Sequence, residues 1–134
     1  MKTQFDHISL SAKDPEAMKD FLCELLDLQP GTRPGFSFQG YFLFAGDEDI
    51  IHIFGRSDDS KITDKLRELD VQESEVQNIV HHVSFYSDDY DQTIQRIEQL
   101  NVKYVTYDVP DSNVKQLFVR APENLLIEIQ ATPK

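Results

Sequence analysis

FDHISLSAKDPEAMKDFLCELLDL, residues 5–28, decides the fold, because it recurs. Residues 80–102, VHHVSFYSDDYDQTIQRIEQLNV, lie over it with His82 on His7, Ser84 on Ser9 and Leu100 on Leu25. Further along, AGDEDIIHI (45–53) lies over APENLLIEI (121–129), which sets Glu128 on His52. The offset moves only from 75 to 76 positions across the unit. A repeat of this length marks two copies of one supersecondary unit.

Each copy reads strand, helix, then three strands. Phe5 to Leu10 alternates as a strand does. Asp14-Pro15-Glu16 starts a helix, with Asp as cap, Pro at the first helical position and an acid in the first turn. Met18, Phe21, Leu22 and Leu25 give that helix one apolar face. Pro30, Gly31, Pro34 and Gly35 break the pattern. Tyr41–Phe44, a turn at Gly46-Asp47, and Asp49–Phe54 form a hairpin.

The second copy predicts a strand over Val80–Tyr86. A helix capped by Asp88 or Asp89 carries Tyr90, Ile94 and Ile97, and Asn101 suits a left-handed helix end. Strands over Val102–Val109 and Val114–Val119, a turn at Pro122-Glu123-Asn124, and a strand over Leu125–Gln130 complete it. The expectation is an α+β fold in one domain, residues 1–134. Module one covers about 1–55, a polar connector 56–78, and module two about 79–134. Ile62, Leu66 and Leu69 hint at a surface helix in the connector. A lone βαβββ unit exposes an open edge and a half-covered face, so two must pair, within one chain or between two.

Strand alternation sorts the polar residues. His7 and Ser9 share a face opposite Ile8 and Leu10. His52 lies with Ile50 and Phe54, opposite Ile51 and Ile53. His82 lies with Ser84 and Tyr86. Glu128 lies with Leu126 and Gln130, opposite Ile127 and Ile129. The apolar faces suit the helices, which leaves the three histidines and the glutamate on the uncovered face, expected to be a cleft.

Imidazole nitrogen and carboxylate oxygen suit Zn, Fe, Ni, Co or Mn. His7, His52, His82 and Glu128 are therefore the predicted ligands of one divalent ion. An isolated histidine in a strand is more often packed than ligating, but the repeat raises all four together. A carboxylate amid leucines and isoleucines is rare unless paired or metal-bound. His81 reads as structural or surface, on the face opposite His82. Cys23 reads as a core thiol. Phe36, Phe38, Tyr41 and Tyr86 are candidate pocket aromatics, and Arg33 or Arg120 candidate anion contacts.

Composition excludes several classes. The net charge of −11, from 13 basic and 24 acidic residues, lacks the basic footprint of a nucleic-acid or anionic-membrane binder. No apolar run approaches the roughly 20 residues of a membrane span, and the first residues lack signal-peptide character. One cysteine cannot form an internal disulfide, so the expected compartment is the cytoplasm. No Gly-rich phosphate loop, CxxC pair or GxSxG elbow is present.

The sequence resembles the vicinal oxygen chelate superfamily, the glyoxalase/bleomycin resistance protein/dioxygenase family. DHISL and HHVSF look like its two histidine-bearing first strands. GYFLFAGDEDIIHIF and KQLFVRAPENLLIEIQ look like its closing hairpins. The resemblance implies paired βαβββ modules forming a U-shaped, partly open sheet with helices outside. It matches His7, His82, His52 and Glu128 to the ligand positions. It also implies a small substrate that chelates the metal through adjacent oxygens, and a homodimer as the assembly. The departure is His52, where glyoxalase I usually has glutamate and the epimerase glutamine. The leading expectation is a metal-dependent lyase or isomerase with Glu128 as base. The alternatives are an Fe(II) extradiol-type dioxygenase and a metal-free small-molecule binder of the bleomycin-binding type.

Overall fold

The computed structural model describes residues 1–2, 4–32, 40–55 and 80–133. The connector and its expected helix, and Arg33, Phe36 and Phe38, lie outside the described residues. Module one runs β1 (Ile8–Ala12), α1 (Pro15–Leu26), β2 (Gln29–Gly31), β3 (Gly40–Ala45) and β4 (Glu48–Gly55). Module two runs β5 (Val83–Ser87), α2 (Tyr90–Gln99), β6 (Tyr104–Asp108), β7 (Lys115–Arg120) and β8 (Leu126–Ala131). The fold is α+β, two βαβββ modules each with its own four-stranded mixed sheet. The strand orders are β1-β4-β3-β2 and β5-β8-β7-β6.

The topology follows the repeat. In each module the first strand pairs parallel with the last, Ile8 beside Ile51 and Val83 beside Ile127. Parallel partners need a crossover, which the helix supplies. The closing strands β4 and β8 are therefore interior, paired on both sides. The breaker run at Pro30 and Gly31 turns out to hold an edge strand, β2. An edge accepts proline because its missing N–H can face away from the ladder.

Helix termini follow the local signals. Asp14 accepts from Ala17 N at 3.0 Å, and Asp89 accepts from Gln92 N at 3.0 Å. Each cap satisfies a donor that the first helical turn leaves orphaned. α1 ends at Asp27, which is left-handed at φ 55, and α2 is followed by Asn101 at φ 53.

The apolar face of α1 packs on β3 and β4 and against α2. Met18, Leu22 and Leu25 join Leu43, Ile51, Ile53, Ile97, Leu117, Ile127 and Ile129 in one core that spans both modules. Each such side chain contributes roughly 1.5–3 kcal/mol by leaving water. Two polar ties cross between modules. Glu123, left-handed at φ 57 in the short turn Pro122–Asn124, accepts backbone N–H bonds from Lys13 (2.8 Å) and Asp14 (3.2 Å). Arg96 of α2 donates to the Glu24 carbonyl at 2.8 Å and pairs with Asp27 at 3.0 Å.

Candidate metal centre

Of the four predicted ligands, His52 and Glu128 lie on their expected strands β4 and β8, while the other two do not. β1 starts at Ile8 and β5 at Val83, so His7 and His82 stand just ahead of their strands. Their side chains are thus freed from strict alternation. His81, expected to face away from His82, instead brings its Nδ1 to 2.9 Å from His82 Nδ1.

In module two, Phe118 lies opposite Glu128, and Ser84 lies beside it, across the β8 ladders. These share the face that carries no buried isoleucines. Ile127 and Ile129, on the other face, are in the core. Glu128 is nonetheless 5% exposed. Its Oε2 lies 3.3 Å from His82 Nε2. The Phe118 ring meets His82 edge-on at 5.9 Å. A buried carboxylate beside an imidazole and an aromatic ring is costly without a cation or proton to balance it.

Module one builds the matching pair. Leu43 pairs with Ile51 but Phe44 with Asp49, so Ile50 is an extra residue in β4. This bulge resets alternation by one. Asp49 thereby shares a face with His52 and bonds its Nε2 at 2.8 Å. Ile50, expected on the His52 face, instead packs against the core beside Leu25 and Leu28. The His52 ring is stacked between Phe42 (centroids 3.6 Å apart) and His7 (3.8 Å). The hydrogen bond from His52 holds the Asp49 carboxyl below the usual carboxylate range.

The structure thus brings His7 to His52 and His82 to Glu128, as two pairs on separate modules. Among the described residues, no three His, Cys, Asp or Glu side chains gather closely enough to hold one ion. The donor chemistry of each pair suits a divalent metal: imidazole nitrogens in one, an imidazole and a buried carboxylate in the other. A cleft of about 500 Å³ on the helix side, lined by Asp27, Ile50, Thr93 and Arg96, includes none of the four.

Tyr41 pairs with Ile53 and sits under Lys19 Nζ at 4.8 Å, on the helix side, so it does not line the donor face. Tyr86 is 68% exposed, and Arg120 is exposed beside Leu126. Phe42 and Phe118 are the aromatics that touch the donors. Their signal was available, since each lies on a strand next to a ligand-bearing one. Cys23 is half-buried against the core, and burial raises its pKa.

Comparison with known proteins agrees with this architecture. The chain superposes on a glyoxylase/bleomycin resistance protein/dioxygenase domain from Frankia sp. EAN1pec with a TM-score of 0.70 and 16% identity, covering 100% of this chain and 95% of that one. Lactoylglutathione lyase from Agrobacterium tumefaciens gives a TM-score of 0.66 and 18% identity, over 97% and 94% of the two chains. The fosfomycin resistance protein FosX from Listeria monocytogenes gives 0.68 and 17%, over 98% and 94%. At these identities the likeness shows the fold alone. No curated protein matches the sequence. The family model described as Glyoxalase/Bleomycin resistance protein/Dioxygenase superfamily matches residues 4–129, and the chain belongs to that superfamily.

Proposed function

We propose that the chain is a metal-dependent glyoxalase-like enzyme, a lyase or isomerase. Its substrate is a small molecule with adjacent oxygens. His7, His52, His82 and Glu128 hold the ion, and the setting is the cytoplasm. The observation that carries this reading is Glu128, buried to 5% exposure with an imidazole 3.3 Å from its Oε2.

The two donor pairs complete one site when two copies pair about a two-fold axis. Module one of one copy then faces module two of the other. A two-fold contact of this kind is self-complementary and generates two equivalent sites. When bound, the ion supplies a Lewis acid that polarises the substrate carbonyl. A Glu128 carboxylate oxygen would accept the proton leaving the hydroxyl-bearing carbon next to that carbonyl and return it to the carbonyl carbon, while the hydroxyl proton passes to the former carbonyl oxygen. The Phe42 and Phe118 rings border the donors.

Elemental analysis of protein purified without chelator tests the reading first; absence of metal, with no uptake on titration, ends it. Glu128→Gln is then expected to lose turnover on substrates with adjacent carbonyl and hydroxyl oxygens by about 100-fold or more, while keeping part of the metal affinity. Full turnover in that variant removes Glu128 as base.

One observation favours a second reading. His52 Nε2 is engaged by Asp49 and the ring is sandwiched between Phe42 and His7. Without His52, the donors are two imidazoles and one carboxylate, the set used by Fe(II) oxygenases. Oxygen uptake with a panel of diphenols, unaffected by His52→Ala, would select this dioxygenase reading.

A further inference from the structure

We propose that Asp6 and His81 are positioning residues that hold His7 and His82 by Nδ1 and so turn each Nε2 toward the metal. The proposal rests on the donor assignment above and extends it to side chains that themselves touch neither ion nor substrate.

Asp6 Oδ2 accepts from His7 Nδ1 at 2.5 Å. His81 Nδ1 lies 2.9 Å from His82 Nδ1. Asp6 and His81 are separated by the same 75 positions that separate His7 from His82. Each module therefore carries, one residue ahead of its donor histidine (His7 or His82), a side chain that engages the same ring nitrogen. The chemistry differs, carboxylate in one module and imidazole in the other, while the contact is the same. Two unrelated residue types making one contact at repeat-equivalent places point to a shared task. Strand onset explains how they reach. Both pairs lie ahead of the first ladder bond, where neighbouring side chains are not forced to opposite faces.

The hydrogen-bond inventory then assigns the nitrogens. A neutral imidazole carries one N–H. A carboxylate only accepts, so the His7 proton sits on Nδ1 and Nε2 keeps its lone pair. At His82 the two Nδ1 atoms share one proton. With His82 as the donor its proton sits on Nδ1, His81 Nδ1 accepts, and the exposed His81 Nε2–H meets water. His82 Nε2 and Glu128 Oε2 then face each other as two acceptors across 3.3 Å, a gap that only a proton or a metal cation bridges. Metal-binding histidines characteristically donate their other nitrogen to such a partner, and losing the partner costs about 10–100-fold in metal affinity.

The test uses the full chain. In ion-free protein, ¹⁵N spectra of the imidazoles are expected to show His7 protonated at Nδ1, and a scalar coupling across the hydrogen bond between the Nδ1 atoms of His81 and His82. Zinc titration against a chelating dye is expected to show Asp6→Ala and His81→Ala weakened by about 10–100-fold. Asp6→Asn and His81→Asn, which keep a carbonyl acceptor, recover most of that loss. A bare His7 Nδ1 with no coupling between the paired histidines overturns the proposal. So do alanine variants that bind zinc within about twofold of wild type. A wild-type protein that takes up no zinc refutes the donor assignment instead, and the spectra still decide the orientation of the rings.

Discussion

At the residue scale, burial and neighbours set what each polar group can do. Glu128 and Cys23 illustrate opposite outcomes. The Glu128 carboxylate is buried with an imidazole beside it, an environment in which a bound cation would balance its charge. The Cys23 thiol is half-buried on α1, and desolvation raises its pKa; Lys19 opposes that shift, while Asp20 adds to it. A raised thiol pKa leaves little thiolate at neutral pH, and thiolate is the reactive form. Iodoacetamide labelling of Cys23 at pH 8 is expected to run several-fold slower than for a free cysteine, and to accelerate as pH rises through the raised value. Labelling at the free-thiol rate would show that the site opens readily. Asp49 shifts the other way. With its pKa lowered chiefly by the His52 hydrogen bond, its contribution is present above the ordinary carboxylate range and is lost as pH falls through the lowered value.

At the element scale, the sequence was most informative where a single residue type is needed for a local geometry. Asp14 and Asp89 cap their helices as expected, and Asn101 takes the left-handed position. Replacing Asp14 or Asp89 by Ala is expected to cost about 1 kcal/mol each in urea denaturation. Glu123→Ala, which strips acceptors from Lys13 N and Asp14 N, is expected to cost about 1 kcal/mol by the same measurement. A cost near zero for Glu123→Ala would mean that water replaces the carboxylate there. The bulge at Ile50 was not legible. Simple alternation puts Asp49 with Ile51 and Ile53, and only pairing with β3 reveals the extra residue that moves it to the His52 face. The onsets of β1 and β5 were also hidden, because Phe5–His7 and Val80–His82 continue the strand pattern in the sequence but find no ladder partner among the described residues. That is why the contact of Asp6 with His7, and of His81 with His82, could not be read beforehand.

At the scale of the whole molecule, the repeat was enough to give the fold class. Two copies of one hydrophobic pattern require two like modules. The alternation within β4 and β8 correctly put Ile51, Ile53, Ile127 and Ile129 in the core and left His52 and Glu128 outside it. What the pattern cannot carry is how the two donor pairs meet, since a periodicity is a property of one strand and convergence is a property of the assembly. If two copies complete the site, native mass spectrometry at micromolar concentration is expected to show a dimer, with metal uptake falling as dilution dissociates it. A monomer that binds metal with undiminished affinity would mean the pairs meet within one chain. Deep in the core, Leu22→Ala or Ile129→Ala is expected to cost roughly 2–5 kcal/mol, because both side chains are almost fully enclosed.

The strand order gives the four donors unequal footing. His52 and Glu128 ride on β4 and β8, each gripped by a neighbour on both flanks, while His7 and His82 precede β1 and β5, which among the described residues are gripped on one. Amide protons of β4 and β8 are therefore expected to exchange with deuterium far more slowly than those of β1 and β5. Fraying of an outer strand would swing an imidazole away without unseating the carboxylate. Departure of a bound ion would then be timed by that breathing and not by unfolding of either sheet.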